Sequence, residues 1–176
     1  QYTKPKRYYH TIEHVETLIG LYHELENLWN NPCAVYLAFL YHDIIYEYGA
    51  KNNEEQSAIF AQKHILKYIP ESKEHIPRIM HLIRQTALHG QLQRDDLDEE
   101  ERLFLDCDMS ILGSVPDQFK EYEQQIELEY TQVYSKLLYR LGRKRFRAKL
   151  YKTPRIFFSD LFHDRYDKQA RINLRS

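Results

Sequence analysis

The sequence predicts an all-α fold. Apolar residues recur three and four positions apart along most of the chain, and no stretch alternates apolar and polar residues for long enough to make a strand. Five glycines and six prolines in 176 residues leave few interruptions, and most of them fall between the periodic segments.

Thr11 can cap a first helix over about 12–29, in which Ile12, Val15, Leu18, Ile19 and Tyr22 share a face and Asn30, Asn31 and Pro32 mark the end. A second helix over about 33–46 is apolar on nearly every side from Ala34 to Leu40, so it belongs in the core. Asn52 or Asn53 can cap a third over about 54–68, stopped by Pro70, and a fourth spans about 76–88, with Gly90 beyond its end. Acidic residues at 98–101 suit the positive end of a fifth helix that runs to about 112 before Gly113. Pro116 opens a long sixth helix through about 139, and two shorter ones follow near 143–151 and 159–174.

A hydrophobic content of 43% in 176 residues can bury one sizeable core, so a single domain over 1–176 is expected, with the C-terminal helices of 136–176 packed as part of it. The 25 basic and 26 acidic side chains nearly cancel, which argues against a dedicated nucleic-acid or membrane-surface binder. Residues 136–176 nevertheless carry 13 basic and 3 acidic side chains. Their densest part, Arg140, Arg143, Lys144, Arg145, Arg147 and Lys149, reads either as solvated helix faces or as a surface that attracts phosphorylated molecules. Cys33 and Cys107 are the two cysteines and make no disulfide framework. With no apolar run near the ~20 residues of a membrane span and no secretory signal pattern, a cytoplasmic protein is expected.

The chemistry centres on His42 and Asp43, adjacent at the end of the most apolar predicted helix. A carboxylate buried there without a partner costs several kcal/mol, whereas a metal ion neutralises it; the plain alternative is a helix end emerging into solvent. His14 and Asp108 strengthen the first reading, because each interrupts an otherwise apolar face of a separate helix. Two imidazoles and two carboxylates leave about two positions of an octahedral shell open, which suits one Mn²⁺, Mg²⁺, Fe²⁺ or Co²⁺ better than a closed tetrahedral Zn²⁺ site, Zn²⁺ being the remaining option.

The segments RYYHTIEHV (7–15), FLYHDIIYE (39–47), NNEEQSA (52–58), LDCDMSILG (105–113) and ARINL (170–174) stand in an order that resembles the HD-domain superfamily, in particular its predicted metal-dependent phosphohydrolases. That resemblance covers nearly the whole chain and implies an HD-type helical bundle with the metal between core helices. It puts His14, His42, Asp43 and Asp108 at the metal-ligand positions, with Asp106 as the rival to Asp108. It also implies hydrolysis of a phosphorylated small molecule, with nucleotides prominent, by a metal-activated water that Asp43 orients.

Around that set, Glu54 and Glu55 are candidates to hydrogen-bond a ligand or the water, against the plainer reading of first-turn acids in a capped helix. His89 is a candidate substrate or metal contact, and His10 a neighbour on the His14 side. His64, His81 and His89 leave a second ion open. Arg171 and Lys168 are candidates to reach phosphate. The competing activities are a di-iron oxygenase of HD type and a non-catalytic nucleotide-sensing module.

Overall fold

The computed structural model describes residues 1–175, and all regular structure among them is helical. Where a single domain over 1–176 is expected, the chain is compact in two units, Gln1–Leu92 and a second from Gln93 onward. No helix among the described residues is long and apolar enough to cross a membrane, and Cys33 and Cys107 are unbridged.

The first unit holds α1 (Ile12–Glu24), α2 (Pro32–Tyr41), α3 (Asn53–Tyr68) and α4 (Ile76–Thr86). α2 touches all three others, which is why it is apolar on every side: Ala34, Val35, Leu37, Ala38 and Phe39 are all buried. Asn31 starts it by accepting the amide of Ala34 at 3.2 Å, with Pro32 in the first turn, where its missing N–H costs nothing. α3 packs on α4 through small residues, Ala58 and Ala61, against the Ile76, Ile79, Leu82 and Ile83 stripe.

Two boundaries differ from expectation. α1 stops at Glu24 and gives way to a 3-10 turn at Glu26–Leu28, while Trp29 is held by donating to the carbonyl of Tyr22 at 2.9 Å. α2 stops at Tyr41 rather than near 46. Two side chains of α3 capture the backbone beyond it: Ser57 Oγ takes the amide of Ile45 and donates to its carbonyl, both at 3.1 Å, and Asn53 bridges the amide and carbonyl of Glu47 at 2.9 and 3.0 Å. Those backbone groups are thus lost to the helix ladder. Gly49, at φ 82, makes the turn back.

The second unit holds α5 (Glu99–Met109), α6 (Pro116–Tyr130), α7 (Lys136–Lys152) and α8 (Asp160–Arg175). A capping box starts α5, with Asp98 accepting the amide of Glu101 and Glu101 returning to the amide of Asp98. The expected helix from 116 to 139 is broken at Thr131. Ser135 then caps a new one by accepting the amide of Leu138 at 3.3 Å, and Gly142 lies inside α7 without ending it. Close packing of α8 on the turn after α5 explains two of the sequence motifs. A Cβ at Gly113 would stand 2.5 Å from the Cβ of Tyr166, so only glycine admits that approach. Asn173 donates to the carbonyls of Leu112 and Ser114, both at 2.9 Å.

Asp106 anchors the start of α8. Its carboxylate accepts the amides of Phe158 and Ser159 at 2.7 Å each and the Ser159 hydroxyl at 2.6 Å, while that hydroxyl accepts the amide of Phe162 as the helix cap. Burial pushes the Asp106 carboxyl up to about 7, against the downward pull of those hydrogen bonds and of Arg155. The folded chain therefore binds a proton there more tightly than the unfolded chain does. Stability from this group is complete below its ordinary value of 3.8 and is lost as pH rises through about 7. Thermal unfolding of the natural chain and of Asp106→Asn, followed from about pH 5 to about pH 8, should show the advantage of aspartate shrinking as pH rises. An advantage that grows with pH would mean that the hydrogen bonds hold an ionised carboxylate instead.

Candidate metal centre

In the first unit, α1 carries His14 and the end of α2 carries His42, with Asp43 next to it. Their relative exposures are 6%, 1% and 9%, so these polar groups are withdrawn from water. One ligand atom from each lies within 4.8 Å of the other two, the one such cluster among the described residues. His14 Nε2 stands 3.3 Å from His42 Nε2, and His42 Nε2 stands 3.1 Å from Asp43 Oδ2.

The imidazole of His42 has its proton placed by its other nitrogen. Nδ1 lies 2.9 Å from the carbonyl of Phe39, and a carbonyl can only accept, so Nδ1 carries the hydrogen and Nε2 of the neutral ring is an acceptor. Its lone pair faces a carboxylate oxygen at 3.1 Å and a second imidazole nitrogen at 3.3 Å. Against the carboxylate that arrangement is repulsive unless a proton or a metal ion sits between them, whereas His14 Nε2 meets the lone pair either through its own N–H or through a shared cation. Two donors about 2.1 Å from one ion are about 3.0 Å apart when adjacent in an octahedron and about 3.4 Å apart in a tetrahedron. The separations of 3.1 and 3.3 Å match either edge, so these two contacts have the spacing of adjacent ligands on a divalent cation, and the donor types suit one.

The surroundings hold the cluster from both sides. Arg7, 8% exposed, donates to the carbonyls of Asp43 at 2.8 Å, Ile44 at 3.1 Å and His10 at 3.1 Å, tying the segment before α1 to the segment after α2. Tyr2 donates to the carbonyl of Leu40 at 2.9 Å, and burial pushes its phenol up to about 12, so it stays protonated as a donor. His10 stacks on Tyr46 with centroids 3.9 Å apart and brings its Nε2 to 4.0 Å from Asp43 Oδ2.

The other sequence candidates are not part of that three-residue group. Asp108 belongs to the second unit, half-buried at the end of α5, where its charge adds to the upward shift that burial causes in the Tyr122 phenol. Asp106, the rival, has both carboxylate oxygens committed to α8. Glu55 is exposed and forms a two-pronged pair with Arg84, at 2.6 and 2.9 Å, so it is a bridge from α3 to α4 and not a group of the cluster. Glu54 is half-buried in the first turn of α3, and His89 lies in the turns after α4.

His64 receives or donates a hydrogen bond with Tyr41 at 2.8 Å and lies against Phe60 and Tyr68, on an aromatic face. His81 is exposed beside Gln85. Arg171 does not reach out for phosphate: Asp167 and the carbonyls of Tyr151, Thr153 and Pro154 consume its guanidinium.

Sequence reasoning gave no role to Arg7, Asn53 and Ser57, which fix the His-Asp segment. The signal was available: Asn53 and Ser57 are small polar residues four apart, hence on one helix face, and each stands within a motif already singled out. Comparison of the chain with protein-family models, with curated proteins and with solved structures returns no match.

A cation that binds the folded chain alone must stabilise it, by about 2.7 kcal/mol at a hundred times its dissociation constant. Mn²⁺ or Co²⁺ added to chelator-treated protein should raise the unfolding temperature, EDTA should reverse the rise, and His42→Ala should abolish it. The same rise in His42→Ala would remove His42 from the site.

Proposed function

We propose that His14, His42 and Asp43 hold one divalent cation, with Mn²⁺, Mg²⁺, Fe²⁺ or Co²⁺ ahead of Zn²⁺, and that the chain is a metal-dependent phosphohydrolase acting on a phosphorylated small molecule. The observation that supports the metal half is the buried cluster itself, with His42 Nε2 held 3.1 Å from a carboxylate oxygen and 3.3 Å from a second imidazole nitrogen. The hydrolytic half rests on the resemblance to HD-domain phosphohydrolases, and nucleotides are the first substrates to test.

A divalent ion supplies two things to such a reaction: it polarises a phosphoryl oxygen and lowers the pKa of water. The chain's own residues supply orientation. Asp43 offers one oxygen to the cluster and can hold the water's proton, while His10, 4.0 Å from that oxygen, is too far for direct transfer and would act through one bridging water. The Arg7, Asn53 and Ser57 hydrogen bonds keep the Asp43 backbone from shifting as charge changes, which suits a site whose geometry must be set before substrate arrives. The sequence pattern adds Asp108 as a further ligand, Glu54 as an outer hydrogen-bond partner and His89 as a phosphate contact. The unbridged cysteines agree with a reducing cytoplasmic setting.

Metal-loaded protein should release phosphate from at least one member of a panel of nucleoside mono-, di- and triphosphates and phosphodiesters. Asp43→Asn should lower kcat/KM by more than about a hundredfold, and Glu54→Gln or His89→Ala by about tenfold. No turnover across the panel by protein with verified bound metal would overturn the hydrolase assignment, and two irons per chain with O₂ uptake would replace it with an oxygenase.

A further inference from the structure

The second unit contains a concave site that the metal centre does not use. α6, α7 and the end of α8 line a cleft of ≈ 660 Å³, within the range of a small-molecule site. α7 carries eight basic side chains and no acidic one, and the cleft is where part of that charge converges.

The charges divide into a neutralised floor and an uncompensated rim. On the floor, Arg143 donates to Glu123 at 2.9 Å through Nε, and Arg147 stands 3.7 Å from the same carboxylate while donating to the carbonyls of Asn173 and Leu174 that end α8. Around the rim stand Lys120, Arg140, Lys144 and Arg175. Arg140 is 71% exposed and only loosely paired with Glu127 at 3.9 Å, and no carboxylate pairs with Lys120 or Lys144 among the described residues. Tyr139 and Tyr151 supply aromatic wall, and Arg175 is held over the Tyr151 ring at 4.8 Å, its Nε 2.8 Å from the Tyr151 hydroxyl.

Like charges gathered on a concave surface raise the local concentration of a counter-ion, and an anion that they surround is held by several contacts at once. A tyrosine wall beside them adds a stacking surface for a base. The ligand is compact and not a nucleic-acid backbone, because Glu123 and Glu127 lie in the cleft and repel an extended chain of phosphates. We propose that this cleft binds a nucleoside di- or triphosphate, independently of any metal at the His-Asp cluster.

Calorimetric titration of the natural chain with ADP, in EDTA so that metal-dependent binding is silent, tests this. The expected result is binding that weakens as salt rises, that is at least tenfold weaker in the double variant Lys144→Gln/Arg140→Gln with an unchanged unfolding temperature, and that adenosine does not reproduce. Both substituted side chains are exposed and can be changed without touching the floor. No heat of binding with ADP up to about 1 mM, or equal affinity in the double variant, would overturn the proposal.

Discussion

The hydrogen bond from His42 Nδ1 to the carbonyl of Phe39 is the constraint on which the candidate site depends. It fixes which nitrogen carries the proton, and so leaves a lone pair pointing at the carboxylate of the very next residue. Were α2 to run on as a regular helix, the carbonyls near its end would be spent on the amides beyond, and the segment after His42 would turn away along the helix. Instead Arg7, Asn53 and Ser57 capture the backbone from Asp43 to Glu47. The helix therefore ends where His42 and Asp43 stand, and both are buried.

Burial makes this arrangement expensive without a cation. A carboxylate and two imidazoles removed from water lose hydration, and a divalent ion would return it as direct coordination. The same logic separates Asp106 from the cluster. Asp106 is fully buried too, but three donors surround it, so its environment is complete and its role is to fix the start of α8. The two buried aspartates thus differ in surroundings: Asp106 is met by two amides and a hydroxyl, Asp43 by the ring nitrogen of His42.

The helical architecture was legible from periodicity, caps and prolines, since these are local signals. The His14, His42 and Asp43 grouping was legible as well, because each interrupts an apolar pattern. The break at Thr131 was missed because the apolar spacing continues through it, and the weight of Ser135 as a cap was overlooked. The early end of α2 was missed for a different reason: it is imposed from α3, by Asn53 and Ser57, and no property of residues 42–46 taken alone announces it. One motif residue was also misread in kind. Arg171, read as a phosphate contact, serves the carbonyl ties of α8, and only coordinates distinguish a guanidinium aimed at phosphate from one spent on three carbonyls.

The central claim is that the two Nε2 atoms share a cation rather than a proton. Anomalous diffraction from a crystal grown with Mn²⁺ or Co²⁺ reads this directly. The account predicts a single peak at about 2.1 Å from both His14 Nε2 and His42 Nε2, with Asp43 in its shell. An absent peak, with the two imidazoles joined by an N–H···N hydrogen bond at their present separation of 3.3 Å, would contradict it.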